Sequence, residues 1–341
     1  MLPHNPVTLA TPAPRADRLV RAVEDGLILP DGPVTVLRPA AGERFDPIDP
    51  ARLRIVQGYR PDHDALVQAG YSVGTVAEPA PSVLVCLPRA KDHAHLLIAQ
   101  AASLAGQMVL VDGQKTDGID SILKALRARV AVESLSKSHG KLVWFDPRGV
   151  DFSDWALGAQ SVQTRFGPMA TAPGLFSADA VDPASEMLAE VLPADLPARM
   201  ADFGAGWGYL SAAILSRNGP EVLHLVEAEA DALAAARANI TDPRAQFHWA
   251  DATAFSLPDS LGGIVMNPPF HVGRDARPEL GLAFISAAAR ALGTRGQLWL
   301  VANRHLPYAQ MLEERFAHLS VLAEDTRFRV WHAKQPRRGK R

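Results

Sequence analysis

The chain has 341 residues, 48% of them hydrophobic and 21% charged, with a net charge of −2 at neutral pH. That length and balance describe a globular protein of two domains and exclude a disordered or strongly polycationic chain. Cys86 is the single cysteine, which excludes an intramolecular disulfide and any multi-cysteine metal site.

Met1 to Asp17 contains no continuous apolar core of a signal peptide. The longest apolar stretch, Leu96 to Val111, is interrupted by Gln100 and Gln107 and is too short to span a bilayer comfortably. A cytoplasmic protein with no membrane contact and no metal is therefore expected. Its oligomeric state is not legible, and a monomer would suffice.

In chain order, the first half offers strand-like runs at Val34 to Leu37, Leu53 to Val56, Ser82 to Leu87, Gln107 to Val111 and Lys141 to Phe145. Helical stretches lie between them at His93 to Ala105 and Gly118 to Leu126. This alternation predicts a parallel sheet covered by helices. Cys86 falls inside an apolar strand, so a buried structural thiol is expected rather than a nucleophile. Lys115, Lys124, Arg127, Arg129, Lys137 and Lys141 are either phosphate-facing cations or scattered surface charges.

Pro147 to Pro173, with prolines and glycines at both ends, reads as a connector. The domain division is expected at 1–158 and 159–341. In the second half, strands are expected at Arg199 to Phe203, Val222 to Val226, Gln246 to Ala250, Gly263 to Met266 and Gln297 to Ala302. Helices are expected at Asp182 to Val191, Tyr209 to Ser216, Ala230 to Asn239 and Glu279 to Leu292. Leu319 to Ala323 and Phe328 to His332 form a closing antiparallel hairpin in this reading. The basic run from Arg327 to Arg341 is, on charge alone, a solvated terminus, with phosphate contact as the alternative.

The two halves share one grammar, as though a single α/β unit had been duplicated. They differ at the turn after the first strand. The first half has Arg38-Pro39-Ala40-Ala41-Gly42 there, without the glycine run of a ligand loop, and reads as a degenerate copy. The second half has Asp202-Phe203-Gly204-Ala205-Gly206-Trp207-Gly208-Tyr209, a loop that turns sharply, approaches a ligand closely and opens a helix. Its glycine spacing is one residue too short for a dinucleotide fingerprint, which weighs against a dehydrogenase.

The spacing resembles motif I of class I methyltransferases. In that family the loop passes under the amino-acid part of S-adenosylmethionine, and the strand-end acid, here Asp202, helps hold the ammonium. By the same resemblance Glu227 receives the ribose hydroxyls and Asp251 reads the adenine amino group. Asn267-Pro268-Pro269-Phe270 after the fourth strand resembles motif IV of methyltransferases acting on amino groups conjugated to an sp² system. The nitrogen lone pair of such a group is delocalised. An acceptor on Asn267 and the Pro268 carbonyl can take its hydrogens and localise the lone pair, consecutive prolines hold those acceptors in place, and Phe270 offers a stacking face.

Pro173-Gly174-Leu175-Phe176-Ser177, Asp182-Pro183-Ala184-Ser185, the tetrapeptide followed by His271, and Val301-Ala302-Asn303 with Leu306-Pro307-Tyr308 extend the likeness. Together they resemble the ribosomal RNA guanine-N2 methyltransferases of the RsmC/RlmG type, closely from Pro173 to about Trp331 and loosely before. The family's usual Asp-x-Gly-Ser has alanine for glycine here. The resemblance implies two tandem Rossmann-like methyltransferase domains, the first degenerate, and S-adenosylmethionine as cofactor. It implies ribosomal RNA or a ribosomal subunit, expected to be the small one with its 16S RNA, as partner. It places Phe176, Asp182, Asp202, Gly204, Gly206, Gly208, Glu227, Asp251 and Asn267 around the cofactor. Asn267, Pro268, Pro269 and Phe270 become the catalytic residues, and Phe270 and His271 flank the base. Two alternatives stay open: a same-fold enzyme acting on adenine N6 or glutamine N5, and a non-catalytic RNA-binding assembly factor.

Overall fold

A computed structural model describes residues 14–156, 158, 160–269, 271–272, 275–276 and 278–337. The chain forms two compact units. The first runs to Leu157 except for Gly58–Arg60, which join Gly158–Arg341 in the second.

The first unit contains α1 (Pro14–Glu24), β1 (Val34–Leu37), β2 (Leu53–Val56), all but the first residue of α2 (Arg60–Gln68), β3 (Val73–Gly74) and β4 (Ala80–Cys86). It continues with α3 (Lys91–Leu104), β5 (Ala105–Gln114), α4 (Ile119–Arg127), β6 (Glu133–Lys137) and β7 (Gly140–Phe145). The strand order is β3-β2-β1-β4-β5-β7-β6. Strands β1 to β5 are parallel, but β7 runs antiparallel to β5 and β6. The sheet is therefore mixed where a wholly parallel one was expected, because two residues link β6 to β7 and so short a link cannot make a parallel crossover.

Both faces of this sheet are covered. Along β4, Val83 and Val85 join one apolar cluster while Leu84 and Cys86 join the other, the near-continuous apolar run of a doubly covered strand. Each fully buried Val or Leu contributes about 1.5–3 kcal/mol. Burial pushes the Cys86 thiol up to about 12, in line with a structural role. Asp112, wholly buried on β5, accepts hydrogen bonds from Arg15 and Arg18 of α1 at 2.6–2.8 Å. Among the cations named above, Arg129 is paired with Asp154 and Lys141 with Asp120.

The second unit opens with a hairpin of β8 (Gln160–Thr164) and β9 (Gly167–Thr171), inside the stretch expected to be a bare connector. Then come α5 (Pro183–Val191), β10 (Arg199–Phe203), α6 (Tyr209–Leu215), β11 (Val222–Glu227), α7 (Ala230–Asn239), β12 (Ala245–Trp249) and β13 (Leu261–Met266). A short β14 (His271–Val272) pairs with β15 (Asp275–Ala276). The rest is α8 (Pro278–Ala291), β16 (Leu292–Asn303), α9 (Tyr308–Arg315), β17 (Phe316–Glu324) and β18 (Phe328–Pro336).

The main sheet runs β12-β11-β10-β13-β16-β18-β17, the same pattern strand for strand as the first unit. The closing antiparallel hairpin is present as β17 and β18. The residues expected to begin a solvated basic tail, from Arg327 to Arg337, belong instead to this hairpin and its end, where Arg337 Nε donates to Phe316 O at 2.9 Å. Arg338, Lys340 and Arg341 lie outside the described residues. Among the described residues no helix is long and apolar enough to cross a membrane.

Candidate functional site

The sheet order of the second unit brings the carboxyl ends of β10 and β13 side by side, with Phe203 opposite Met266. The glycine loop leaves one and Asn267 follows the other. A pocket at this edge is lined by Phe176, Ser177, Asp182, Ser185, Gly204, Ala205, Gly206, Trp207, Tyr209, Leu210 and Asn267. The loop fits a closely approaching ligand. Gly206 has φ +55°, and a Cβ there would meet nothing within 4 Å, so its bare backbone borders open space. Gly208 has φ +96°, and a Cβ would come within 3.1 Å of Ile240 and 3.6 Å of Ala236 on α7.

Asp182 caps α5, its Oδ2 accepting from Ser185 N at 2.7 Å, with Pro183 opening the helix. Asn267 Nδ2 donates to the same Asp182 oxygen and to Ser185 Oγ, both at 2.9 Å. A carboxylate only accepts, which fixes the amide's orientation. Both amide hydrogens are thus spent, and Asn267 Oδ1 takes no hydrogen bond from the described residues. It is a preset acceptor on the pocket wall.

Trp207 Nε1 donates to Phe176 O at 3.0 Å, while Phe176 as a residue is 62% exposed. Thr171 Oγ1 donates to Ala178 O at 2.7 Å and ties the same segment back to β9.

Asp202, Gly208, Glu227 and Asp251, also expected around the cofactor, are not on the pocket wall. Asp202 is fully buried; its Oδ2 accepts from Ser211 Oγ at 2.7 Å, and its Oδ1 is buried without a partner among the described residues. Burial raises this carboxyl to about 7, against the lowering effect of Ser211. Glu227 accepts from Gly206 N at 2.8 Å and Glu229 N at 2.7 Å. Burial moves it above the ordinary carboxylate range and those backbone donors oppose the shift. Through Gly206, Glu227 holds the loop itself. Asp251 Oδ1 accepts from Thr253 N at 2.8 Å and Thr253 Oγ1 at 2.7 Å, closing the turn after β12.

Pro268 is buried and Pro269 exposed. Phe270 lies outside the described residues, and of His271 only its backbone place in β14 is described. Sequence reasoning gave no role to Ser177, Trp207, Tyr209 or Leu210. Ser185 appeared only as part of a motif, although its position three residues after a capping aspartate was a readable signal. Among the described residues no group of three or more His, Cys, Asp or Glu is placed to hold a metal.

The sequence profile of the family described as methyltransferase small domain matches residues 167–332. A ribosomal RNA small subunit methyltransferase C from Idiomarina loihiensis is 31% identical over 264 residues, covering 74% of this chain and 78% of that protein. The protein of the same name from Cronobacter sakazakii is 31% identical over 265 residues, covering 74% and 75%. Among solved structures, a T. thermophilus 16S rRNA N2 methyltransferase (RsmC), in complex with AdoMet and guanosine, superposes with a TM-score of 0.77 at 22% identity. That match covers 98% of this chain and 97% of the other, and shows the two-unit fold.

Proposed function

The chain belongs to the ribosomal RNA small subunit methyltransferase C family, and from that premise we propose that it methylates the exocyclic N2 of a guanine in small-subunit ribosomal RNA. The observation that carries the reading is Asn267, whose two amide hydrogens are held by Asp182 and Ser185 so that Oδ1 remains as an acceptor beside the glycine loop. S-adenosylmethionine, when bound, supplies the electrophilic methyl group of a sulfonium.

The reading assigns Phe176, Asp182, Gly204, Gly206 and Asn267 to direct cofactor contact. Gly208 shapes the turn, and Asp202, Glu227 and Asp251 provide the acids behind or beside it. Asn267 Oδ1 and the Pro268 carbonyl accept the amino hydrogens of the base, draw its lone pair out of conjugation and aim it along one line. Held acceptors of this kind need no reorganisation during the reaction, which is why positioning and electrostatics supply most of the rate. Phe270 stacks on the base and His271 flanks it. No covalent enzyme intermediate is required. The guanine must be unpaired or extruded, at a cost of a few kcal/mol.

Residues 1–158 form, in this reading, a methyltransferase-like domain that does not hold the cofactor. In support, Arg38 occupies a left-handed conformation (φ 60°) where the second unit has glycine, and Gln57 Nε2 ties down the Pro39 carbonyl at 2.6 Å. Residues 159–341 form the catalytic domain, which a monomer suffices to supply.

The test is tritiated methyl transfer to small subunits and to free RNA from cells lacking this protein, followed by nucleoside analysis. Label in N2-methylguanosine supports the reading. Label in another nucleoside or in protein overturns the acceptor, and cofactor binding without transfer favours an assembly factor.

A further inference from the structure

A second cleft opens on the same edge of the second sheet. It is lined by Asn303, Arg304, His305, Thr326, Arg327 and Arg329. Strands β13 and β16 are parallel neighbours with Met266 opposite Leu300. Asn303 therefore stands one strand across from Asn267 and two residues beyond its level, about 8 Å away by strand geometry.

The turn between β17 and β18 builds the far wall. Asp325 Oδ1 accepts from the backbone of Arg327 at 2.7 Å and of Phe328 at 2.6 Å, and Arg304 N donates to Arg327 O at 2.9 Å. Glu324 grips two guanidiniums, Arg304 through Nη2 at 3.0 Å and Arg329 through Nε. Both arginines hold Glu324 below the ordinary carboxylate range, the Arg329 hydrogen bond most strongly. This clamp accounts for Arg304 and Arg329 as structural residues. It does not account for Arg327, which is exposed, lies over the Phe328 ring at 4.8 Å and forms no salt bridge among the described residues; its charge only adds to the two backbone donors that lower the Asp325 carboxyl. Three guanidiniums face two carboxylates, and both carboxylates are already engaged. His305 and Thr326 are exposed beside them.

We propose that this cleft binds a backbone phosphate of the RNA strand next to the target guanine, with Arg327 as its principal contact. The proposal rests on the RNA-methylation reading above. A planar guanidinium matches a phosphate with two parallel donors, while Asn303 and Thr326 add the neutral donors common at phosphate contacts. A phosphate seated there fixes the register of the strand relative to Asn267.

The test measures binding of small-subunit ribosomal RNA across a salt series, together with methyl transfer, for the wild-type chain, Arg327→Glu and Arg327→Lys. Arg327→Glu is expected to weaken RNA binding roughly tenfold and to flatten the salt slope by about one. The KM for RNA rises accordingly, whereas cofactor affinity and kcat at saturation stay within about twofold and Tm shifts by no more than about 2 °C. Arg327→Lys keeps most of the binding. Unchanged RNA affinity and slope in Arg327→Glu overturn the cleft whatever the transfer assay shows. Binding that depends on Arg327 without any methylation by the wild-type chain overturns the methylation reading and leaves the cleft standing.

Discussion

Asn267 Nδ2 lies 2.9 Å from Asp182 Oδ2, so one carboxylate oxygen both caps α5 and orients the asparagine at the end of β13, 85 residues along the chain. The helix cap and the candidate catalytic amide are thereby a single unit.

This coupling makes Asp182→Ala a two-part substitution. Losing the cap costs about 1 kcal/mol of stability. Releasing the amide lets Oδ1 move, and a misplacement of that kind costs up to about 100-fold in rate. Thermal melts and methyl-transfer kinetics should show a small drop in Tm with a large drop in kcat. Ser185→Ala, which removes one of the two acceptors and keeps the cap, should have a milder effect on kcat. A loss of Tm without loss of kcat would show that Asp182 acts only as a cap.

Asp202 gives a pH signature. Its folded carboxyl titrates at about 7, well above the ordinary aspartate value. A group raised on folding contributes its stability below the unfolded value and loses it as the pH climbs through the folded one. The parent should therefore lose stability between about pH 4 and 7 through this residue, by at most ~4 kcal/mol. Asp202→Asn keeps a partner for Ser211 and lacks that loss. The histidines act in the opposite sense, since burial holds His224 and His332 at about 4 and they destabilise the fold as pH falls from 6.5. The variant-minus-parent difference in Tm isolates Asp202, and it should grow in the variant's favour from pH 4 to 8. A flat difference would mean that the carboxyl stays ionised throughout.

Asn239 joins three elements. It accepts from Ala170 N at 2.6 Å and donates to Ala170 O at 2.9 Å and Trp207 O at 2.8 Å. It thus ties the β8–β9 hairpin and the glycine loop to the end of α7. Asn239→Ala removes three hydrogen bonds worth about 1 kcal/mol each. The expected outcome is a lower Tm and a several-fold weaker cofactor affinity by calorimetry, with kcat at saturation nearly unchanged.

How much of this was legible in the sequence depended on how local the cause was. Strands β1, β2 and β10 and helix α7 matched their expected bounds, because apolar runs and flanking turns are local signals. Strand β6, with the sequence Glu-Ser-Leu-Ser-Lys, was invisible: it is an edge strand, mostly exposed, and owes its form to pairing with β7. The β8–β9 hairpin was missed for a similar reason, since Asn239 fixes it from about 70 residues away. The glycine loop and Asn267 could be read as motifs. Their tie through Asp182 and Ser185, and the turning of Asp202 toward Ser211, required the fold.

Tyr308 offers a packing test away from the pocket. Its hydroxyl is buried with no partner among the described residues, and burial raises its pKa to about 12. An added Cβ on Gly281 would overlap the Tyr308 ring and hydroxyl. Gly281→Ala should lower stability by about 1–3 kcal/mol or more. Tyr308→Phe, which deletes an unsatisfied group, should be neutral or stabilising. Denaturant midpoints measure both.

The most direct test of the central claim is single-turnover methyl transfer to guanine-containing ribosomal RNA by the wild-type chain and Asn267→Ala, with cofactor affinity measured on the same samples. A preset acceptor at Oδ1 predicts a rate loss of about 100-fold or more, with cofactor affinity changed by no more than a few-fold and N2-methylguanosine as the wild-type product. An Asn267→Ala rate within about threefold of wild type would contradict the assignment of Asn267 as the acceptor that activates the amino group.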